Sequence, residues 1–130
     1  MVRLVIDTSA VVAVVMKEAE AASFIDAMSS ARTRVMSSLN LLEARIVLSF
    51  GKALPPDTVD DFIAREKIDI APFDDALCAL AFDVYRRFGK GRHPAKLHMG
   101  DCAAYALAKA SGWPLLYKRD EFALTDIAAA

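Results

Sequence analysis

Apolar and polar positions come in short blocks whose period changes along the chain. Val2-Arg3-Leu4-Val5-Ile6 is a β-branched run of the kind found in strands buried on both faces of a parallel sheet. A helical pattern follows over 9–16, then a second over about 18–31, where Ala22, Phe24, Ile25 and Met28 recur at helical spacing. Arg34-Val35-Met36-Ser37 predicts a second strand. Ser38 is the expected cap of a helix running to about Phe50 and stopped by Gly51. Pro55-Pro56-Asp57 starts another, ending near Glu66. Ile68-Asp69-Ile70-Ala71 reads as a third strand. Asp74 caps a long Ala-rich helix that ends at Phe88-Gly89. A loop rich in Gly, Lys, Arg and His spans 89–100, and Asp101 is expected to open a helix to about Ala110. Pro114-Leu115-Leu116-Tyr117 is the last expected strand, followed by a short acidic and apolar tail. This alternation predicts one α/β domain over 1–130: a parallel sheet of about four strands with helices on both faces and right-handed crossovers.

Composition narrows the class. With 130 residues, 55% hydrophobic and 25% charged, the chain can bury a core and is not disordered as a whole. The net charge of −1 gives no overall pull towards nucleic acid, so any such attraction must be local. Cys78 and Cys102 each lie among Ala and Leu in a helical pattern, which suggests two small buried thiols rather than a disulfide or metal pair. Asp7 interrupts the apolar stretch near the N-terminus, and no run reaches the ~18–20 apolar residues of a membrane span. A cytoplasmic domain with no membrane partner is expected.

The candidate chemistry is acidic. Asp7 ends the first strand, at the tip where open α/β sheets bind ligands. A carboxylate there is costly to desolvate unless something positive meets it. Glu43 shares a helix face with Leu39, Ile46, Val47 and Phe50, so it sits within an apolar stripe, where a core helix would gain from Leu. Arg45 is its plainest partner if it serves only packing. Asp101 follows His98-Met99-Gly100, and taken alone it reads as a helix cap after an ordinary loop glycine. Asp120-Glu121 lies just past the last strand, the counterpart of Asp7. All four positions fall at one edge of a parallel sheet. Carboxylates converging without compensating Lys would raise one another's pKa values, a conflict that a hard divalent cation removes. Two such ions ~3.5–4 Å apart can activate water and stabilise the leaving oxygen of a phosphodiester.

The bases are segregated. Between Asp83 and Asp101 there is no acid, but there are Arg86, Arg87, Lys90, Arg92 and Lys96, and the loop leads into the helix of Asp101. Lys118 and Arg119 lie beside Asp120. Lys and Arg to hold a phosphate backbone, next to carboxylates that can bind the metal to cut it, suit an RNA substrate. A solvated charged loop is the plainer alternative. Neither His93 nor His98 belongs to a metal-ligand spacing.

With these residues assembled, the chain resembles the PIN-domain ribonucleases and, more narrowly, the VapC toxins of type II toxin–antitoxin pairs. The resemblance runs through V-I-D-T-S-A at 5–10, L-L-E-A at 41–44, Y-R-R-F-G-K-G-R-H at 85–93, G-D-C-A-A-Y-A-L-A-K at 100–109 and P-L-L-Y-K-R-D-E-F-A-L-T-D-I at 114–127. It implies the PIN-like three-layer fold and an endoribonuclease that depends on Mg²⁺ or Mn²⁺. It also implies a homodimer and a VapB-like antitoxin. The family's metal-binding acids map to Asp7, Glu43, Asp101 and Asp120, with Glu121 beside the last. The small hydroxyl after the first acid maps to Thr8 or Ser9. Two positions depart from similar chains: His98 stands where Asn is frequent, and Arg119 where Gly is frequent. Three rival readings remain on the residues: a silent PIN-like module that binds RNA or protein, a phosphatase with Asp7 as nucleophile, and a phosphoacceptor domain. Ser9 stands where the phosphatase would want a second Asp.

Overall fold

The structure, a computed structural model, describes residues 2–118 and 120–130, with Glu121 described in its backbone alone. Four strands, β1 (Arg3–Ile6), β2 (Thr33–Ser37), β3 (Asp69–Ala71) and β4 (Leu115–Leu116), form one sheet in the order β3-β2-β1-β4. Every pairing is parallel, and Val5 stands beside Val35 on one side and Leu115 on the other. The chain steps outward from β1 to β3, then returns to place β4 on the far side of β1. This reversal is where doubly wound sheets open a crevice at the carboxyl ends of their strands.

The helices are α1 (Thr8–Val15), α2 (Ala21–Ser30), α3 (Ser38–Ile46), α4 (Thr58–Arg65), α5 (Asp75–Phe88) and α6 (Met99–Ser111). They divide into two layers because side chains alternate across β1. Leu4 and Ile6 enter a core with Val11 and Val14 of α1, Phe24 and Met28 of α2, Ala44 of α3 and Phe62 of α4. Val5 enters the opposite core with Val84 of α5, Tyr105 of α6, Leu115 and Phe122. Each fully buried Val, Leu or Ile of this strand contributes about 1.5–3 kcal/mol by leaving water. The expected α/β architecture with helices on both faces is therefore the one observed.

Several boundaries differ from the sequence expectation. Ser37, not Ser38, caps α3, accepting from Leu39 N at 3.3 Å, while Ser38 Oγ accepts from Phe73 N at 2.9 Å and ties α3 to the segment after β3. The helix does not run on regularly to Phe50. After Ile46 it widens into a π turn over Val47–Gly51, closed by Lys52 N on Val47 O at 3.0 Å. α6 starts at Met99, two residues before Asp101, and its N-cap is His98.

Two face assignments also change. α3 buries Asn40 and Ala44, whereas Leu42, Ile46 and Phe50 on the stripe's side are exposed, Phe50 by 85%. Cys102 is buried as expected, but Cys78 is exposed. α5 carries apolar residues on two faces. Ala81 and Val84 are covered, while Cys78 turns outward with Phe82 and Tyr85 at i+4 and i+7. Among the described residues no helix is long and apolar enough to cross a membrane.

Candidate active site

β1 ends on Asp7, and the chain turns at once into α1. Asp7 is the N-cap of that helix, its Oδ2 accepting from Ser9 N at 2.9 Å and from Ser9 Oγ at 2.5 Å. Ser9, rather than Thr8, is thus the hydroxyl that orients the first acid. Asp7 is 1% exposed. Its second oxygen, Oδ1, is the only carboxylate oxygen among the buried side-chain atoms that lack a hydrogen-bond partner in the described residues. Burial pushes the Asp7 carboxyl up to about 7. The Ser9 bonds pull it down, and the charges of Asp101 and Glu43 add to the rise.

Thr8 has another task. Its Oγ1 donates to Asn40 O at 3.2 Å and accepts from Asn40 Nδ2 at 3.2 Å. Asn40 Nδ2 also donates to Gly100 O at 3.0 Å. This buried amide fastens the start of α1 to the start of α6 through α3. An Asn mid-helix carries no local signal for this work, and sequence reading passed over it.

Asp101 is the third residue of α6, not its cap. His98 Nδ1 accepts from Asp101 N at 3.3 Å, and Asp101 Oδ2 accepts from His98 N at 3.1 Å, a reciprocal capping box with His98 as the cap. The imidazole also approaches both neighbouring acids, with Nε2 3.5 Å from Asp101 Oδ2 and Nδ1 3.9 Å from Glu43 Oε2. Glu43 comes from the second turn of α3 and lies directly against Gly100. A Cβ on Gly100 would stand 2.6 Å from Glu43 Cδ. The glycine before Asp101 is therefore a close-approach residue inside a helix, not a loop glycine. Arg45 does not serve Glu43; it pairs with Asp60 at 2.7 Å.

Asp7, Glu43 and Asp101 thus converge on one cavity of about 300 Å³, with Thr8, Ser9 and His98 on its wall. Glu18 and Lys118 also line it. The sequence marked Lys118 only as a base beside Asp120 and passed over Glu18, and their contact joins positions 100 residues apart. Asp120 is exposed at the head of a 3₁₀ turn, Asp120–Leu124, and is not on the cavity wall. The side chain of Glu121 and the whole of Arg119 lie outside the described residues. Arg86, Arg87, Lys90, Arg92 and Lys96 are all exposed, and none of them lines the cavity. Their loop is pinned by Lys90 N on Leu97 O and Leu97 N on Phe88 O, both 2.9 Å. Arg87 faces the tail, 3.8 Å from Asp126.

This donor set fits a hard divalent cation. A buried carboxylate oxygen without a partner, flanked by two more acids, is what such an ion satisfies. Among the described residues no three His, Cys, Asp or Glu side chains form a ready-made cage. Cys102, beside Asp101, supplies no nucleophile, since burial and the Asp101 charge push its thiol up to about 12.

The PIN domain family pattern matches residues 4–128. The chain belongs to the PIN-domain family. It is 42% identical to Ribonuclease VapC of Mycolicibacterium smegmatis over 128 residues, 97% of this chain and 98% of that protein. It is 40% identical to Ribonuclease VapC30 of Mycobacterium tuberculosis over 127 residues, 96% of each. Its fold matches the crystal structure of the M. tuberculosis toxin VapC20, described as cleaving the sarcin-ricin loop, with a TM-score of 0.78, 14% identity and 98% of both chains covered. A toxin–antitoxin complex from Klebsiella pneumoniae matches with a TM-score of 0.73 and 13% identity, over 98% of this chain and 96% of that one. In this PIN domain the acids of the family resemblance that meet at the cavity are Asp7, Glu43 and Asp101.

Proposed function

We propose that this PIN domain is a VapC-type endoribonuclease toxin that hydrolyses RNA phosphodiester bonds with Mg²⁺ or Mn²⁺, in the cytoplasm, under the control of a VapB-like antitoxin. The observation that carries the reading is Asp7: a buried strand-tip carboxylate with one oxygen unpartnered among the described residues, beside two further acids. Asp7, Glu43 and Asp101 would hold the ion directly or through water, and Asp120, on the turn after β4, is the fourth acid of the proposal. A divalent ion held there would supply an activated water and neutralise charge on the phosphate.

The chain's own residues do the positioning. Ser9 fixes Asp7 Oδ2 and leaves Oδ1 without a hydrogen-bond partner among the described residues. Asn40 holds the first turns of α1 and α6 together, so Asp7 and Asp101 keep their spacing. The bare backbone at Gly100 admits Glu43. No side-chain nucleophile is needed. RNA is expected to approach over the exposed 86–96 arginines and lysines, which supply counterion release outside the cavity.

The test is cleavage of single-stranded RNA by the purified chain. EDTA should abolish it, Mg²⁺ or Mn²⁺ should restore it, and bound antitoxin should silence it. Full cleavage by chelated, metal-free protein would overturn the mechanism.

A second copy of this chain is the proposed cover for the open apolar face. Leu42, Ile46, Phe82 and Met99 project there, each at least half exposed. Two apolar cavities of about 230 and 160 Å³ lie beside them and share Met99. Knobs and holes on one patch are what a two-fold interface requires. Phe82→Glu should convert a dimer to a monomer in sedimentation; a wild-type chain that sediments as a monomer at high micromolar concentration excludes it.

A further inference from the structure

We infer that Lys118 is the residue that takes the substrate's phosphate, and that Glu18 and Glu20 hold its ammonium until RNA arrives; this rests on the ribonuclease reading above. Lys118 follows β4 and is tied to the acid centre through two bonds. Its backbone N–H donates to Ser9 Oγ at 2.9 Å, and Ser9 Oγ donates to Asp7 Oδ2 at 2.5 Å. Its Cα therefore has a fixed place beside Asp7. The side chain pairs with two acids, its Nζ 2.8 Å from Glu18 Oε1, itself on the cavity wall, and 3.6 Å from Glu20 Oε2.

The charge balance of the cavity gives this arrangement meaning. Asp7, Glu18, Glu43 and Asp101 line it, and among the described residues Lys118 is the one Lys or Arg on its wall. The arginines and lysines of the 86–96 loop do not reach it. A phosphodiester entering beside Asp7, Glu18 and Glu43 needs a cation supplied by the protein as well as by metal. Lys118 is a flexible ammonium with three donors, able to swing without losing its backbone anchor. Its present partners are about one third exposed, so the pairing is partly screened by water and exchangeable. Two carboxylates share the one ammonium, so Glu18 and Glu20 compete with the incoming phosphate.

A structural clasp is the alternative: the same ion pair would simply tie the α1–α2 connection to the end of β4. The two accounts predict opposite signs. If the pair is a clasp, Lys118→Gln and Glu18→Gln break the same contact and act in the same direction. If Lys118 is the phosphate ligand, losing it weakens RNA binding, whereas losing Glu18 strengthens it.

The experiment measures binding of a fluorescent single-stranded RNA in Mg²⁺ by the full chain carrying Asp7→Asn, which removes cleavage, over a range of NaCl concentrations. Adding Lys118→Gln should weaken binding and reduce the slope of log K against log salt by about 0.7, one phosphate contact on a single strand. Lys118→Arg should keep the slope. Glu18→Gln should tighten binding several-fold. Shifts in the same direction for Lys118→Gln and Glu18→Gln, or an unchanged slope in Lys118→Gln, overturn the inference. If Lys118→Gln fails to fold, the sign of Glu18→Gln decides alone. The ribonuclease reading is judged separately on the wild-type chain: if it cuts RNA while the two substitutions act alike, only the role of Lys118 falls.

Discussion

Asp7 and Asp74 are both helix N-caps, yet they belong to different worlds. Asp74 starts α5 in open solvent and accepts one bond, from Leu77 N at 3.0 Å. Asp7 starts α1 at the centre of the sheet, 1% exposed and with one oxygen unpartnered among the described residues. The local chemistry is the same: an extended Asp, an oxygen on a first-turn N–H, a helix behind it. A cap is worth about 1 kcal/mol wherever it stands. Burying a carboxylate costs more than that unless a counter-charge arrives. The excess at Asp7 is therefore unexplained by folding and points to a ligand.

Exchanging each Asp for Asn breaks the comparison most sharply, because Asn caps a helix about as well as Asp. Asp7→Asn should lower RNA cleavage by at least about 100-fold, as loss of a metal-holding charge does. Asp74→Asn should leave cleavage within about two-fold and the melting temperature nearly unchanged, as for a surface change that keeps its hydrogen bond. Rate assays on both variants at saturating Mg²⁺ decide it. Equal losses at the two positions would mean that α1 and α5 caps act alike, and the metal reading of Asp7 would fail.

The same contrast marks what was legible in the sequence. Asp7 could be read because a β-branched run ended on it, and the order of strands and helices followed from period alone. Glu43 was readable as an acid on an apolar stripe, but the stripe was taken as core. The core face of α3 is Asn40 and Ala44, and Glu43 looks across a surface that leaves Leu42 and Ile46 in solvent. Periodicity locates a face without saying what covers it. Taken alone Asp101 reads as a cap, because Asp is a common one, and only the other acids assign it to the site; the actual cap, His98, is an uncommon one. Asn40, Glu18 and Lys118 act through contacts between distant segments, which no local pattern records. The basic loop shows the converse: a conspicuous local charge run that does not line the cavity.

The acid centre also has a pH signature in the metal-free protein. An Asp in the unfolded chain ionises near 3.8, whereas the buried Asp7 carboxyl holds its proton up to about 7. Between these values the folded state binds more protons than the unfolded state, so stability falls as pH rises and levels off above about 7. The burden at neutral pH is on the order of a few kcal/mol. Asp7→Asn removes the titration while leaving a buried amide with its own fixed cost. The informative quantity is therefore the difference in unfolding free energy between the two proteins as a function of pH, measured by urea denaturation in EDTA. That difference should move in favour of Asp7→Asn from pH 4 to pH 7 and stay constant beyond. Asp74→Asn, run alongside, should track the wild type across this window more closely than Asp7→Asn does. Adding Mg²⁺ at pH 7.5 should then stabilise the wild type and not Asp7→Asn, because the ion binds the folded, ionised cluster. Parallel pH profiles for wild type and Asp7→Asn would show that Asp7 carries no such burden, and the distinction drawn between the two caps would collapse.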